Sequence, residues 1–154
     1  MNRNLLLISN STNRGEEYLG WCRDLVKNFC IENKIDDVLF VPYAGVASGY
    51  DAYEEKVKKI YATFGVNLHS VHKEKNPKQA VMDAKCIAVG GGNTFNLVYE
   101  MYENDIMQAI REKAMNGTPY MGWSAGSNVA SPTLMTTNDM PIVEPKSFNT
   151  LNLI

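Results

Sequence analysis

The residues best placed to do chemistry are Gly122-Trp123-Ser124-Ala125-Gly126, in which one residue separates a serine from a glycine on each side. An apolar run from Tyr120 to Trp123 leads into the serine, and a helix-compatible stretch follows it. This is the pattern of a nucleophile elbow, where a strand turns so sharply into a helix that only glycine fits beside the exposed residue. At such a tip the Ser124 hydroxyl points away from the sheet. The amides from Ala125 onward then open a helix whose N-terminus favours developing negative charge. Acyl transfer needs both features. A bare G-x-S-x-G also serves as an ordinary turn, and it is the flanking strand and helix that select the catalytic reading.

A second glycine-rich turn, Gly90-Gly91-Gly92-Asn93-Thr94, follows the apolar run Cys86 to Val89. It fails as a phosphate loop, because Phe95 stands where G-x-G-x-x-G needs its last glycine and no Walker-type lysine follows. Consecutive strands usually neighbour one another, so the two glycine-rich turns are expected side by side. An amide of Gly91 or Gly92 together with that of Ala125 would then form an oxyanion hole, with Asn93 and Thr94 capping the next helix. A purely structural turn is the alternative, since glycine also simply permits tight bends.

A serine hydroxyl needs a base, normally a histidine oriented by a carboxylate. The chain has two histidines, His69 and His72, both near the third predicted strand. If the third and fifth strands flank the fourth, they lie roughly 9 to 10 Å apart, too far for direct contact with Ser124. The polar turn Thr136-Thr137-Asn138-Asp139-Met140-Pro141 carries one acid, Asp139, whose residue type also suits plain turn chemistry.

The elements that must position these groups follow from periodicity. Leu5 to Ile8 is a short apolar run read as a central buried strand, and Ser9 to Asn13 is the polar loop after it. Apolar spacing predicts a helix from Glu16 to Asn33, with Cys22 and Cys30 on its inner face. Val38 to Val41 is a strand stopped by Pro42. A helix from about Asp51 to Phe64 ends at Gly65, and Val66 to Val71 forms the third strand. Asn76-Pro77 launches a short helix. The fourth strand spans Cys86 to Val89, with a helix from Phe95 to Tyr102 after it. A further helix runs from about Asp105 to Asn116, and the fifth strand spans Pro119 to Trp123. Strands alternating with helices indicate an α/β fold with a doubly wound parallel sheet, expected as a single domain over 1–154. Ligands bind such sheets at the carboxyl ends of the strands, the edge that carries both glycine-rich turns.

Composition narrows the partners. A chain of 154 residues with 45% hydrophobic residues can bury a core, and a net charge of −2 with scattered lysines offers no basic field for nucleic acid. Three cysteines without paired spacing give no zinc motif and fit reduced thiols in a cytoplasmic protein. The apolar run near the start is too short for a signal peptide or a membrane span. No cofactor and no metal are expected.

Taken together, Ser9-Asn10-Ser11-Thr12, Pro42-Tyr43-Ala44-Gly45-Val46, Gly90 to Phe95, Gly122 to Gly126 and Thr136 to Val143 resemble the peptidase E family of aspartyl dipeptidases, in order and over the whole chain. The resemblance implies a class I glutamine amidotransferase-like (flavodoxin-like) fold with serine at the elbow. It further implies hydrolysis of dipeptides, and some slightly longer peptides, that begin with aspartate. By the same resemblance Ser124 is the nucleophile, Gly92 and Ala125 are oxyanion donors, and Asp139 matches an aspartate of the charge relay.

The family's histidine, a later glutamate and a substrate-reading arginine all fall after the point where this chain stops. Leu151 to Ile154 resembles the start of a further strand, so the sheet is expected to be incomplete at the C-terminus and the chain inactive as written. An unfinished sheet leaves an apolar edge, from which homo-oligomers are expected. Two other readings remain at this stage: a catalytically silent module binding a small acidic ligand or a partner, and a cyanophycinase-like serine hydrolase.

Overall fold

The computed structural model describes residues 2–154. Five parallel strands form one sheet: β1 (Leu5–Ile8), β2 (Asp37–Val41), β3 (Asn67–Ser70), β4 (Ile87–Val89) and β5 (Tyr120–Trp123), in the order β1-β5-β4-β2-β3. The chain moves outward from β2 to β3, then returns to insert β4 and β5 between β1 and β2. In register, Val89 lies beside both Val41 and Gly122, and Ile8 beside Trp123. The ends of the central strands are therefore level.

Side-chain alternation divides the core into two layers. Leu39, Val41, Ile87, Val89 and Tyr120 face helices α3 (Pro77–Asp83), α4 (Thr94–Glu103), α5 (Met107–Met115) and the short α6 (Ala125–Asn128). Val38, Phe40, Ala88, Met121 and Trp123 face α1 (Arg23–Glu32) and α2 (Tyr50–Ala62) on the other side. The sheet is doubly wound, and Cys22 and Cys30 are buried in the second layer.

Four details depart from the sequence reading. α1 begins at Arg23 rather than Glu16, because Gly15 and Leu19 take positive φ angles of 83° and 58° and fold 13–20 into turns, with the Leu19 amide bonded to Ser11 O. β1 is an edge strand, not a central one, and Leu5, Leu6 and Leu7 are only half-buried. β4 is flanked by β5 and β2, which puts β3 at the far edge.

Finally, 151–154 forms no strand. The Leu151 and Leu153 amides bond to Val129 O and Ala130 O, Arg111 Nη1 donates to Leu151 O at 2.6 Å, and both leucines are buried. Pairing with the turn after α6 takes up the backbone groups that a strand would need.

Candidate active site

β5 is fully buried and ends where the backbone reverses at Ser124, with φ 55° and ψ −113°. A side chain rarely adopts this conformation, and holding one there costs on the order of 1–3 kcal/mol. The surroundings enforce it. The Ser124 amide donates to Ile8 O at 2.9 Å, and its carbonyl accepts the Ser127 and Asn128 amides that start α6. A Cβ on Gly126 would sit 1.9 Å from Val89 O, and one on Gly122 would sit 2.3 Å from Gly126 O, so neither position admits a side chain. Ser127 Oγ lies 2.7 Å from Ile8 O and 2.8 Å from Gly122 O and accepts the Ile8 amide. It ties β1 to the elbow.

The turn after β4 lies against this elbow. A Cβ on Gly91 would meet Ser124 Cβ at 2.8 Å, and one on Gly92, which has φ 136°, would sit 2.0 Å from Ala44 O. The Gly91 amide lies against the Tyr53 hydroxyl, while that of Gly92 has no hydrogen-bond acceptor among the described residues. Ala125 opens α6, so its N–H has no acceptor within the helix. Gly92 and Ala125 thus each have an amide without an acceptor among the described residues, in adjoining turns.

Asn93 caps α4 by accepting the Asn96 amide at 3.1 Å, and its Nδ2 donates to Met140 O at 2.8 Å. Asp139 Oδ2 accepts from the Thr94 amide at 2.8 Å and the Thr94 hydroxyl at 2.6 Å. The acidic turn is therefore fastened to the helix that follows the glycines. Asp139 meets neither histidine.

His72 sits beyond β3, bonded to Ser70 Oγ through Nδ1 and to Asp51 Oδ1 at 2.7 Å through Nε2. That bond, with Lys73 second, holds the Asp51 carboxyl below its usual range. β4 and β2 intervene between β5 and β3, a separation of roughly 14 Å for three strand spacings. His69 lies near Asp37 and Glu74 on the same edge. Neither histidine is a base for Ser124 in this arrangement.

One cluster escaped the sequence reading. Trp123, the residue before the nucleophile, donates through Nε1 to the Tyr18 hydroxyl at 2.6 Å and lies 3.2 Å from that of Tyr53. The two tyrosine hydroxyls bond to each other. Burial raises both phenols above their usual range, so they stay protonated. They floor a cleft of about 400 Å³ beside Gly91 and Gly92. Only the i,i+3 spacing of Tyr53 and Lys56 on a predicted helix signals it in the sequence.

Among the described residues no group of three or more His, Cys, Asp or Glu could hold a metal, and no helix is long and apolar enough to cross a membrane.

The chain is 47% identical over 154 residues to Peptidase E of Nostoc sp. (strain PCC 7120 / SAG 25.82 / UTEX 2576), covering all of this chain and 63% of that protein. It is 45% identical over 151 residues to Peptidase E of Haemophilus influenzae, covering 98% and 69%. The chain thus spans somewhat under two-thirds of the length of the Nostoc relative. A crystal structure assigned as a peptidase E protein from Listeria monocytogenes EGD-e superposes with a TM-score of 0.74 at 26% identity, over 99% of this chain and 75% of that one. The model of Peptidase family S51 matches residues 5–154, and with an elbow serine at its centre the chain belongs to that family.

Proposed function

We propose that Ser124 is the nucleophile of a serine-type peptidase that hydrolyses dipeptides beginning with aspartate. One observation carries the reading: Ser124 is held at φ 55° with a glycine-only contact from Gly91 against its Cβ. Strain of this kind persists where the surroundings over-determine it, and here it holds the serine at the tip of the turn against Gly91. The specificity for aspartate rests on the motif resemblance.

In the proposed reaction Ser124 Oγ attacks the scissile carbonyl carbon and loses its proton to a base. The amides of Gly92 and Ala125 hold the oxyanion, and Gly91 gives the clearance that lets the turns approach. The base returns the proton to the leaving amine as the C–N bond breaks. Water then hydrolyses the acyl-enzyme and releases aspartate. The base comes from outside these 154 residues, since His69 and His72 occupy the far edge. Asp139 spends Oδ2 on Thr94, and Oδ1 is the oxygen available to orient that base.

The test is release of free aspartate from Asp-Leu by the full-length protein, by the 154-residue chain and by Ser124→Ala. Turnover should be confined to the full-length protein and vanish in Ser124→Ala. Loss of a triad member typically costs on the order of 10⁴ to 10⁶. Full activity of Ser124→Ala would end the proposal.

A further inference from the structure

Beside Gly91, which touches Ser124, lies a cleft whose lining carries hydroxyls, the Asn93 amide and a single cation, but no acid; Ser124 itself lines an adjoining hollow with Ile8, Ser9, Ser127 and Asn128. Ser11, Tyr18, Tyr53 and Ser48 bear hydroxyls, the loop from Ala44 to Ala47 forms one wall, and Lys56 is the only charged residue. Lys56 Nζ rests 3.9 Å from the centre of the Tyr18 ring and 5.4 Å from that of Tyr53. It makes no salt bridge among the described residues, whereas Lys59 and Lys73 of the same region both do. A cation seated on a ring face keeps part of its ammonium for another acceptor. The side chain is therefore placed but not neutralised.

We propose that Lys56 is a specificity-determining residue that takes a carboxylate of the bound peptide. This rests on the proposed function and deepens it. The path from cation to nucleophile is short and continuous. Lys56 lies on Tyr18 and Tyr53, the Tyr53 hydroxyl lies against Gly90 and the Gly91 amide, and Gly91 lies against Ser124.

A substrate with its carbonyl at near-attack distance, roughly 3–3.5 Å from Ser124 Oγ, lies beside this cleft. An aspartyl dipeptide carries two carboxylates, the aspartate side chain and the C-terminus, each three bonds from the scissile carbonyl carbon. They leave the scissile carbonyl on opposite sides, so the cleft takes one of them. Removing such a group from water requires a compensating cation and donors, and Lys56 with the Ser11 and Tyr18 hydroxyls supplies them. An acid in this cleft would defeat the purpose, and there is none.

The experiment uses the full-length protein throughout and measures binding by titration calorimetry in a Ser124→Ala background, so that chemistry does not consume the ligand. The ligands are Asp-Leu, Asn-Leu, which lacks the side-chain carboxylate, and Asp-Leu amide, which lacks the C-terminal one. Lys56→Met should weaken Asp-Leu binding roughly 10- to 100-fold, the usual worth of a charge-assisted contact, and Lys56→Arg should restore most of it. For one of the two neutralised ligands the Lys56→Met effect should disappear, which identifies the carboxylate read.

Equal binding of Asp-Leu with and without Lys56, an equal loss for both neutralised ligands, or no binding to the parent overturns the proposal. If Lys56→Met does not fold, Lys56→Gln carries the same comparison. Aspartate release with Ser124 intact separates the two readings. Lys56-dependent binding without release removes the nucleophile and keeps the carboxylate site. Release with Lys56-independent binding does the reverse.

Discussion

Asp139 Oδ2 accepts from both hydrogen-bond donors of Thr94, the amide at 2.8 Å and the hydroxyl at 2.6 Å, and so fastens a distant loop to the first turn of α4. Asn93 caps the helix from the preceding residue, and Asp139 adds a second acceptor from a distant part of the chain. Replacing Asp139 with alanine leaves that amide without its acceptor and should cost about 0.5–2 kcal/mol. Urea denaturation checks the loss. Thr94→Ala in the same background should add little, since the two residues share one interaction.

Gly91→Ala should cripple turnover more than it destabilises. The added methyl would lie 2.8 Å from Ser124 Cβ, so the elbow and the glycine turn must move apart. Displacing one oxyanion donor costs about 10²–10³ in kcat, whereas overpacking costs about 1–3 kcal/mol of stability. Measuring kcat and the melting temperature of full-length Gly91→Ala separates the two effects. Unchanged kcat would mean that the turns do not act together.

Ser124→Gly should be more stable than Ser124→Ala. Glycine relaxes at φ 55°, ψ −113°, while alanine keeps the strain, and the difference should be about 1 kcal/mol after glycine's extra unfolded-state entropy. Thermal unfolding of the pair measures it. Equal melting temperatures would show that the elbow is unstrained.

Glu54 gives the fold a pH dependence. Burial pushes its carboxyl up, but the Lys73 ammonium at 2.5 Å and the Ser70 amide at 2.6 Å outweigh burial and hold it below the usual carboxylate range. A depressed carboxyl stabilises the fold above its unfolded pKa, near 4.3, and the contribution disappears as pH falls through the lower folded value. Glu54→Gln should therefore cost about 1–2 kcal/mol at pH 7, modest because Lys73 is half in solvent. It should cost little near pH 3. Denaturation curves at the two pH values decide, and an equal loss at both would assign the effect to packing.

The edge strand β1 should promote association. Its outer side has no strand partner among the described residues, and its leucines are half-buried. Sedimentation velocity of the 154-residue chain should show concentration-dependent oligomers, and a clean monomer at high concentration would refute this.

Much of this architecture was legible because it is local. The apolar runs Val38 to Val41 and Cys86 to Val89 mark strands, Asn76-Pro77 marks a helix start, and Ser124 between two glycines marks the elbow. What escaped depends on relations between distant residues. Nothing near Leu5 to Ile8 distinguishes an edge strand from a central one, because that depends on where β4 and β5 insert. The start of α1 was misplaced because Leu19 sits in a left-handed turn despite its helix-compatible type. The aromatic floor stayed hidden because Tyr18, Tyr53 and Trp123 come from three separate elements, and only the closed sheet brings their polar tips together.

The bonds of Ser127 to Ile8 and Gly122 make the peripheral strand and the reactive turn one mechanical unit. The outermost strand of a sheet is ordinarily the first part to fray. Here fraying releases the Ile8 carbonyl that holds the Ser124 amide, so the serine loses its geometry with the edge. In the 154-residue chain the amide of Ser124 should exchange with solvent in the same event as that of Ile8, before the main unfolding transition.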